Sequence, residues 1–126
     1  GFLPFYPLAA GVLTGKYRKG EAVPEGTRLD KMDHLVTRFF NDETMDIVEA
    51  LRDFAEARGR TLLELSFAWL ASRDVIPSII AGTSRPEQVE ANVAAVEWQL
   101  SDDEVDEIDR ISALASDARF GSLFRN

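Results

Sequence analysis

The residues Gly82-Thr83-Ser84-Arg85-Pro86 end an apolar run and open a helical pattern. Free backbone N–H groups at a helix start, the helix dipole and a planar guanidinium together suit an anion, above all a phosphate. An unpaired Arg85 would oppose the dipole there at a cost of ~0.3–1 kcal/mol, and a bound phosphate removes that conflict. Gln88 and Asn92 follow one turn apart on one helical face, where they can read the polar edges of an attached group. A surface arginine after an ordinary capped turn explains the same residues, and local chemistry alone does not separate the two.

A second candidate is "PLAAGVLTGKY", Pro7 to Tyr17. Gly11 and Gly15 permit close backbone approach, while Thr14 and Lys16 offer a hydroxyl and a point charge to a diphosphate. The spacing is not that of a Walker P-loop. A plain loop that happens to carry a lysine is the simpler reading of this segment.

Two apolar segments must present these motifs. "FLPFY", Phe2 to Tyr6, reads as a buried strand despite Pro4, and the charge-free "VIPSIIAG" reads as another. From Ala9 to Asn41 no period is sustained, so a long loop, residues 9–41, is expected. Helical spacing then runs from Asp42 to Arg58 through Met45, Val48, Leu51, Phe54 and Ala55, with Gly59 as its stop. Thr61 with Glu64, Ser84 with Glu87 and Ser101 with Glu104 each read as capping boxes opening further helices. The helix after Thr61 is apolar over much of its circumference and so is expected to be well buried. The last one runs through Val105, Ile108, Ile111 and Leu114, before a weakly patterned tail at 115–126. Two charge-free strands separated by helices imply parallel pairing within a larger α/β architecture, because two strands cannot satisfy each other's edges.

The bulk numbers bound the partners. The chain has 126 residues and a net charge of -8, so its overall field repels nucleic acid and anionic membranes. Any anion must therefore be held by a local cluster of donors. There are no cysteines, which excludes disulfides and thiolate metal sites and fits a cytoplasmic protein. No apolar run is long enough to span a membrane. The acidic run Asp102 to Asp109 reads as a solvated helix face, and Trp69 and Trp98 as packing residues. His34, alone in the loop, reads as a solvated or packing residue rather than a catalytic one. The chain starts at Gly1 directly before an apolar segment, as a start inside a larger protein or after processing would.

"FYPLAAGVLTGKY" together with "VIPSIIAGTSRPEQVEANV" resembles the aldo-keto reductase family, and "LSDDEVDEIDRI" is similar to the auxiliary helix that closes its chain. The resemblance covers nearly the whole sequence. It implies a (β/α)8 TIM barrel, of which this chain would be the C-terminal part: strands 7 and 8 with their following helices. It implies NADP as cofactor, and reduction of small aldehydes or ketones to alcohols.

Residue by residue, Tyr6, Pro7, Leu8, Gly11, Thr14 and Lys16 would follow the nicotinamide and diphosphate. Arg28, inside "EGTRL", would fold over the cofactor. Gly82, Ser84 and Arg85 would hold the 2′-phosphate, and Gln88 and Asn92 the adenine side. The family commonly has Glu before that Asn; here Ala91 stands there, which removes one contact to the adenosine end. The family's catalytic Asp, Tyr, Lys and His come from earlier strands, and no segment here matches those motifs. The expected partners are therefore a carbonyl substrate and the remainder of the barrel or another copy of this chain. A non-catalytic nucleotide-binding regulatory module and a self-associating half-barrel are the rival readings. "RFF", Arg38 to Phe40, and the terminal "RFGSLFRN" are candidates for substrate or subunit contact.

Overall fold

The computed structural model describes residues 1–4 and 7–113, the side chains of Asp33 and Arg38 apart. Its regular elements are helices: a 3-10 segment at Ala9–Thr14, then α1 (Asp33–Phe39), α2 (Asp42–Glu56), α3 (Leu62–Ala71), α4 (Pro86–Ala95) and α5 (Asp102–Ala113).

Local chemistry sets most of these boundaries. Asn41 accepts a hydrogen bond from the Thr44 amide and so caps α2. At the other end Gly59 takes φ +69, Arg60 donates to the Ala55 carbonyl and Gly59 to Glu56, which is a Schellman stop. Thr61 and Glu64 close a reciprocal capping box on α3, and Ser101 and Glu104 close another on α5. The expected Ser84–Glu87 box is not formed. The cap of α4 is Arg85, extended at φ -140, without a side-chain hydrogen bond. Ser84 instead pairs with Gln88, its amide donating to Oε1 at 2.9 Å. Pro86 explains the shift, since its fixed φ suits the first helical position and moves the start of α4 one residue on.

The core lies where α2 meets α3 and α5, with the 3-10 segment packed against α3 and α1. Met45, Val48, Leu51, Phe54 and Ala55 are all buried, as the spacing required, with Leu62, Leu65 and Ile108 against them. Val12, Tyr17, Leu29 and Leu35 come from the expected loop and complete the same cluster. That stretch is thus no bare loop. It carries a 3-10 segment and the short helix α1, each too brief to show a period in sequence.

Asp102, Asp103, Asp106 and Glu107 of α5 are exposed, as a solvated face requires, while Glu104 and Asp109 are half-buried. Glu104 accepts from Arg58 at 2.9 Å, and Asp109 accepts from both Trp69 Nε1 and Arg73. The two acids therefore clamp α5 to α2 and α3.

The two expected strands are not formed as strands among the described residues. Residues 77–83 make no backbone hydrogen bond to other described residues, and Pro77 has no amide to donate. A strand exists only with a paired neighbour, and here the pairing reduces to Phe2 donating its amide to the Val75 carbonyl. Phe5 and Tyr6 lie outside the described residues. Still, Gly1 stands beside Pro77, and Pro7 and Gly82 line one cleft, so the chain runs in the same sense from 1 to 7 as from 77 to 82.

Candidate binding cleft

Three consecutive residues with positive φ build the first wall: Ala9 (+47), Ala10 (+58) and Gly11 (+97). For alanine this left-handed backbone costs roughly 1–2 kcal/mol per residue. Gly11 donating to Leu8 at 2.9 Å, Leu13 donating to Leu8, and the burial of Ala10 and Val12 hold it in place. The Thr14 hydroxyl donates to the Gly11 carbonyl at 2.6 Å and locks the turn from its far side. Strain retained by this much surrounding structure is typical of ligand clamps.

Beyond the turn, Gly15 bends the chain at φ +94, and residues 16–18 follow without regular secondary structure. Tyr17 points into the core and is fully buried, its ring 6.0 Å from Phe40. Lys16 is exposed and lies over that ring, with Nζ 5.5 Å from its centroid. Gly11 makes room for it: a Cβ there would stand 3.2 Å from Lys16 Cε and 3.3 Å from Nζ.

The opposite wall is the end of the second apolar segment and the first turns of α4. Together the walls enclose an open cleft of about 1100 Å³. Pro7, Leu8, Gly11, Thr14, Lys16 and Arg28 line one side, and Gly82, Ser84, Arg85, Gln88 and Asn92 the other. Every site residue read from the sequence is therefore brought to one cleft except Tyr6, which lies outside the described residues. Ala10, Leu63, Ile80, Ala81, Thr83, Glu87 and Ala91 also line it and were not among the expected cofactor-binding residues. Ala10, Thr83 and Ala91 interleave the motif residues and were legible by adjacency. Leu63 comes from α3, and only the tertiary packing brings it there.

The electrostatics of the cleft oppose those of the chain. Its lining holds Lys16, Arg28 and Arg85 against one carboxylate, Glu87, in a protein of net charge -8. No salt bridge among the described residues engages Lys16 or Arg85. The amides of Gly82, Thr83 and Arg85 have no acceptor among them either, while that of Ser84 is held by Gln88. Cations on concave walls with free amides between them form an anion site. Among the described residues no group of three or more His, Cys, Asp or Glu side chains could hold a metal. His34 is exposed on α1 and does not line the cleft. The neighbouring Phe39 and Phe40 pack on the core, whereas "RFGSLFRN" lies outside the described residues.

Residues 1–113 match the model of the aldo/keto reductase family. The chain belongs to that family. It is 39% identical over 99 residues to a probable voltage-gated potassium channel subunit beta of Arabidopsis thaliana, covering 77% of this chain and 30% of that one. It is 32% identical over 115 residues to an L-glyceraldehyde 3-phosphate reductase of Escherichia coli O157:H7, covering 87% and 33%. A probable potassium channel subunit beta of Oryza sativa is 35% identical over 115 residues, covering 88% and 35%. This aldo/keto reductase chain spans about a third of the length of the curated relatives it matches. No helix among the described residues is long and apolar enough to cross a membrane.

Proposed function

We propose that the cleft is the cofactor grip of an NADP-dependent aldo-keto reductase, contributed by the C-terminal part of a (β/α)8 barrel. The carrying observation is the convergence of Lys16, Arg28 and Arg85 with unpartnered amides on one cleft of an acidic protein. The shared chain sense of residues 1–7 and 77–82 toward this cleft supports neighbouring parallel barrel strands, whose carboxyl ends are where such folds bind ligands. Missing neighbours on either side would supply the pairing that residues 77–83 lack.

The residues fit a dinucleotide phosphate. Gly11 leaves the space in which Lys16 meets a diphosphate, and Gly82, Thr83 and Arg85 offer donors to the 2′-phosphate. Gln88 must release the Ser84 amide before a phosphate oxygen can take it. Gln88 and Asn92 then face the adenine side, with Ala91 withholding the extra contact of a glutamate. When bound, the cofactor supplies a hydride to a carbonyl carbon. This chain's own residues bind and orient; the catalytic motifs of the family are absent from its sequence, and the chain alone is expected to turn over no carbonyl substrate.

One observation favours a second reading, that of a nucleotide-binding regulatory subunit in the cytoplasm: several relatives are named as potassium channel beta subunits rather than as reductases. Both readings need the cleft to take the nucleotide. The test is NADPH titration followed by fluorescence, with Arg85→Ala expected to weaken binding by roughly tenfold while thermal stability is unchanged. An affinity equal to that of the wild type removes Arg85, and the 2′-phosphate with it, from the cleft. Substantial NADPH-dependent carbonyl reduction by this chain alone would contradict the division between grip and chemistry.

A further inference from the structure

Arg52 is the one charged side chain buried among the described residues, at 5% exposure, and it does not line the cleft. A buried guanidinium is costly unless every donor is engaged. Its Nε donates to Glu49, Nη1 to the Gly15 carbonyl at 3.1 Å and Nη2 to the Tyr17 carbonyl at 2.9 Å. The two carbonyls belong to the residues before and after Lys16, so the 15–16 and 17–18 peptide groups are both held by one side chain.

The rest of α2's polar edge continues the grip. Glu49 also accepts from Arg18 and from the Lys19 amide, and Asp46 accepts from Lys19 Nζ. Tyr17 is seated in the core between these contacts. Residues 15–19 are therefore tied to α2, while Lys16 among them lines the cleft.

We propose that Arg52 is a positioning residue that acts through Lys16, its fork fixing the Gly15 and Tyr17 carbonyls so that the lysine stands at the cleft wall where the cofactor's diphosphate binds. The ligand part of this inference rests on the reading of the cleft given above. A planar fork suits the site because Glu49 and the two carbonyls are met by three different nitrogens, whereas an ammonium offers its donors from a single nitrogen on a shorter stem.

The experiment uses the full chain with Arg52→Gln, Arg52→Lys, Lys16→Met and the double variant Arg52→Gln/Lys16→Met. NADPH and adenosine 2′-phosphate are the probes, and amide hydrogen exchange is the second readout. Arg52→Gln is expected to weaken NADPH by about tenfold and adenosine 2′-phosphate by less than about twofold, since the latter needs the Arg85 end alone. In the Lys16→Met background the same change should have almost no further effect on NADPH, which a merely structural role would not produce. Exchange should quicken at residues 15–19 while α2 and α3 stay protected. Arg52→Lys keeps the charge and the buried stem, remains folded, and should resemble Arg52→Gln in both readouts.

Additive losses in the double variant, or equal weakening of both probes, overturn the role through Lys16. Wild-type exchange at residues 15–19 in Arg52→Lys overturns the grip itself. If the unaltered chain binds neither probe, the cleft reading fails and the ligand role of Lys16 fails with it. Selective loosening of residues 15–19 in that case would still establish Arg52 as what holds them.

Discussion

Around α2 the side chains close on one another: Met45, Val48, Leu62 and Leu65 are each 2% exposed, and charged groups at the rim, Arg18 with Glu49 and Arg58 with Glu104, are paired between distant segments. Across α4 and residues 75–83 the opposite holds. Val75 and Ile80 are 64% exposed and Val93 is 60% exposed, with Val89 and Val96 beside it on the same helical face. Both regions are apolar and carry regular patterns, so hydrophobicity does not distinguish them. Partners do. Helices satisfy their own backbones and need only one covered face, whereas an extended segment needs a neighbour along each edge. The cleft lies on the seam between the regions, which is why one of its walls is rigidly backed and the other lightly held.

The largest expected effect breaks this contrast at its firm side. Leu65→Ala should lower unfolding stability by about 2–5 kcal/mol, a large share of what a domain of this size has. Ile80→Ala, on the open side, should change it by no more than about 0.5 kcal/mol in the same urea titration. Equal losses would mean that the open side is covered in solution, and the contrast would dissolve.

A smaller effect sharpens the comparison through pH. The Glu64 carboxylate is held below its ordinary value of 4.5 first by the Thr61 amide and then by Arg60, and Glu104 likewise by Ser101 and Arg58. A lowered folded-state value means that folding prefers the ionised form. The stabilisation is thus complete above about pH 4.5 and is lost as pH falls through the lower folded value. Glu104→Gln should cost about 1 kcal/mol or less at pH 7, and the cost should shrink as pH falls below about 4.5, read from urea midpoints across that range. A loss that stays constant as the pH falls would mean that the cap, not the charge, carries the effect.

The smallest effect concerns the open wall. Ser84→Ala removes a hydroxyl that meets Gln88 at 3.4 Å but leaves the Ser84 amide with its acceptor. Stability should change by less than about 0.5 kcal/mol, checked by thermal melting. A clear destabilisation would show that the Ser84–Gln88 cap holds α4 more firmly than its exposure suggests.

Much of this molecule was legible in sequence wherever forces act over a few residues. The core face of α2, the Gly59 stop and two capping boxes follow from the 3.6-residue period and from side chains reaching three residues along the chain. The two cleft motifs were legible because glycine, hydroxyl and cation types at a helix start and around a tight turn restrict themselves to few uses. Tertiary structure decided what depends on distant partners. Whether "VIPSIIAG" forms a strand depends on neighbours that its own residues cannot supply. That Leu63 faces the cleft, that Asp109 and Glu104 clamp α5, and that Arg52 reaches the carbonyls beside Lys16 follow from packing across more than thirty residues of chain in the last three cases. Periodicity tells which side of a helix is buried; it cannot tell which backbone a buried guanidinium will find there.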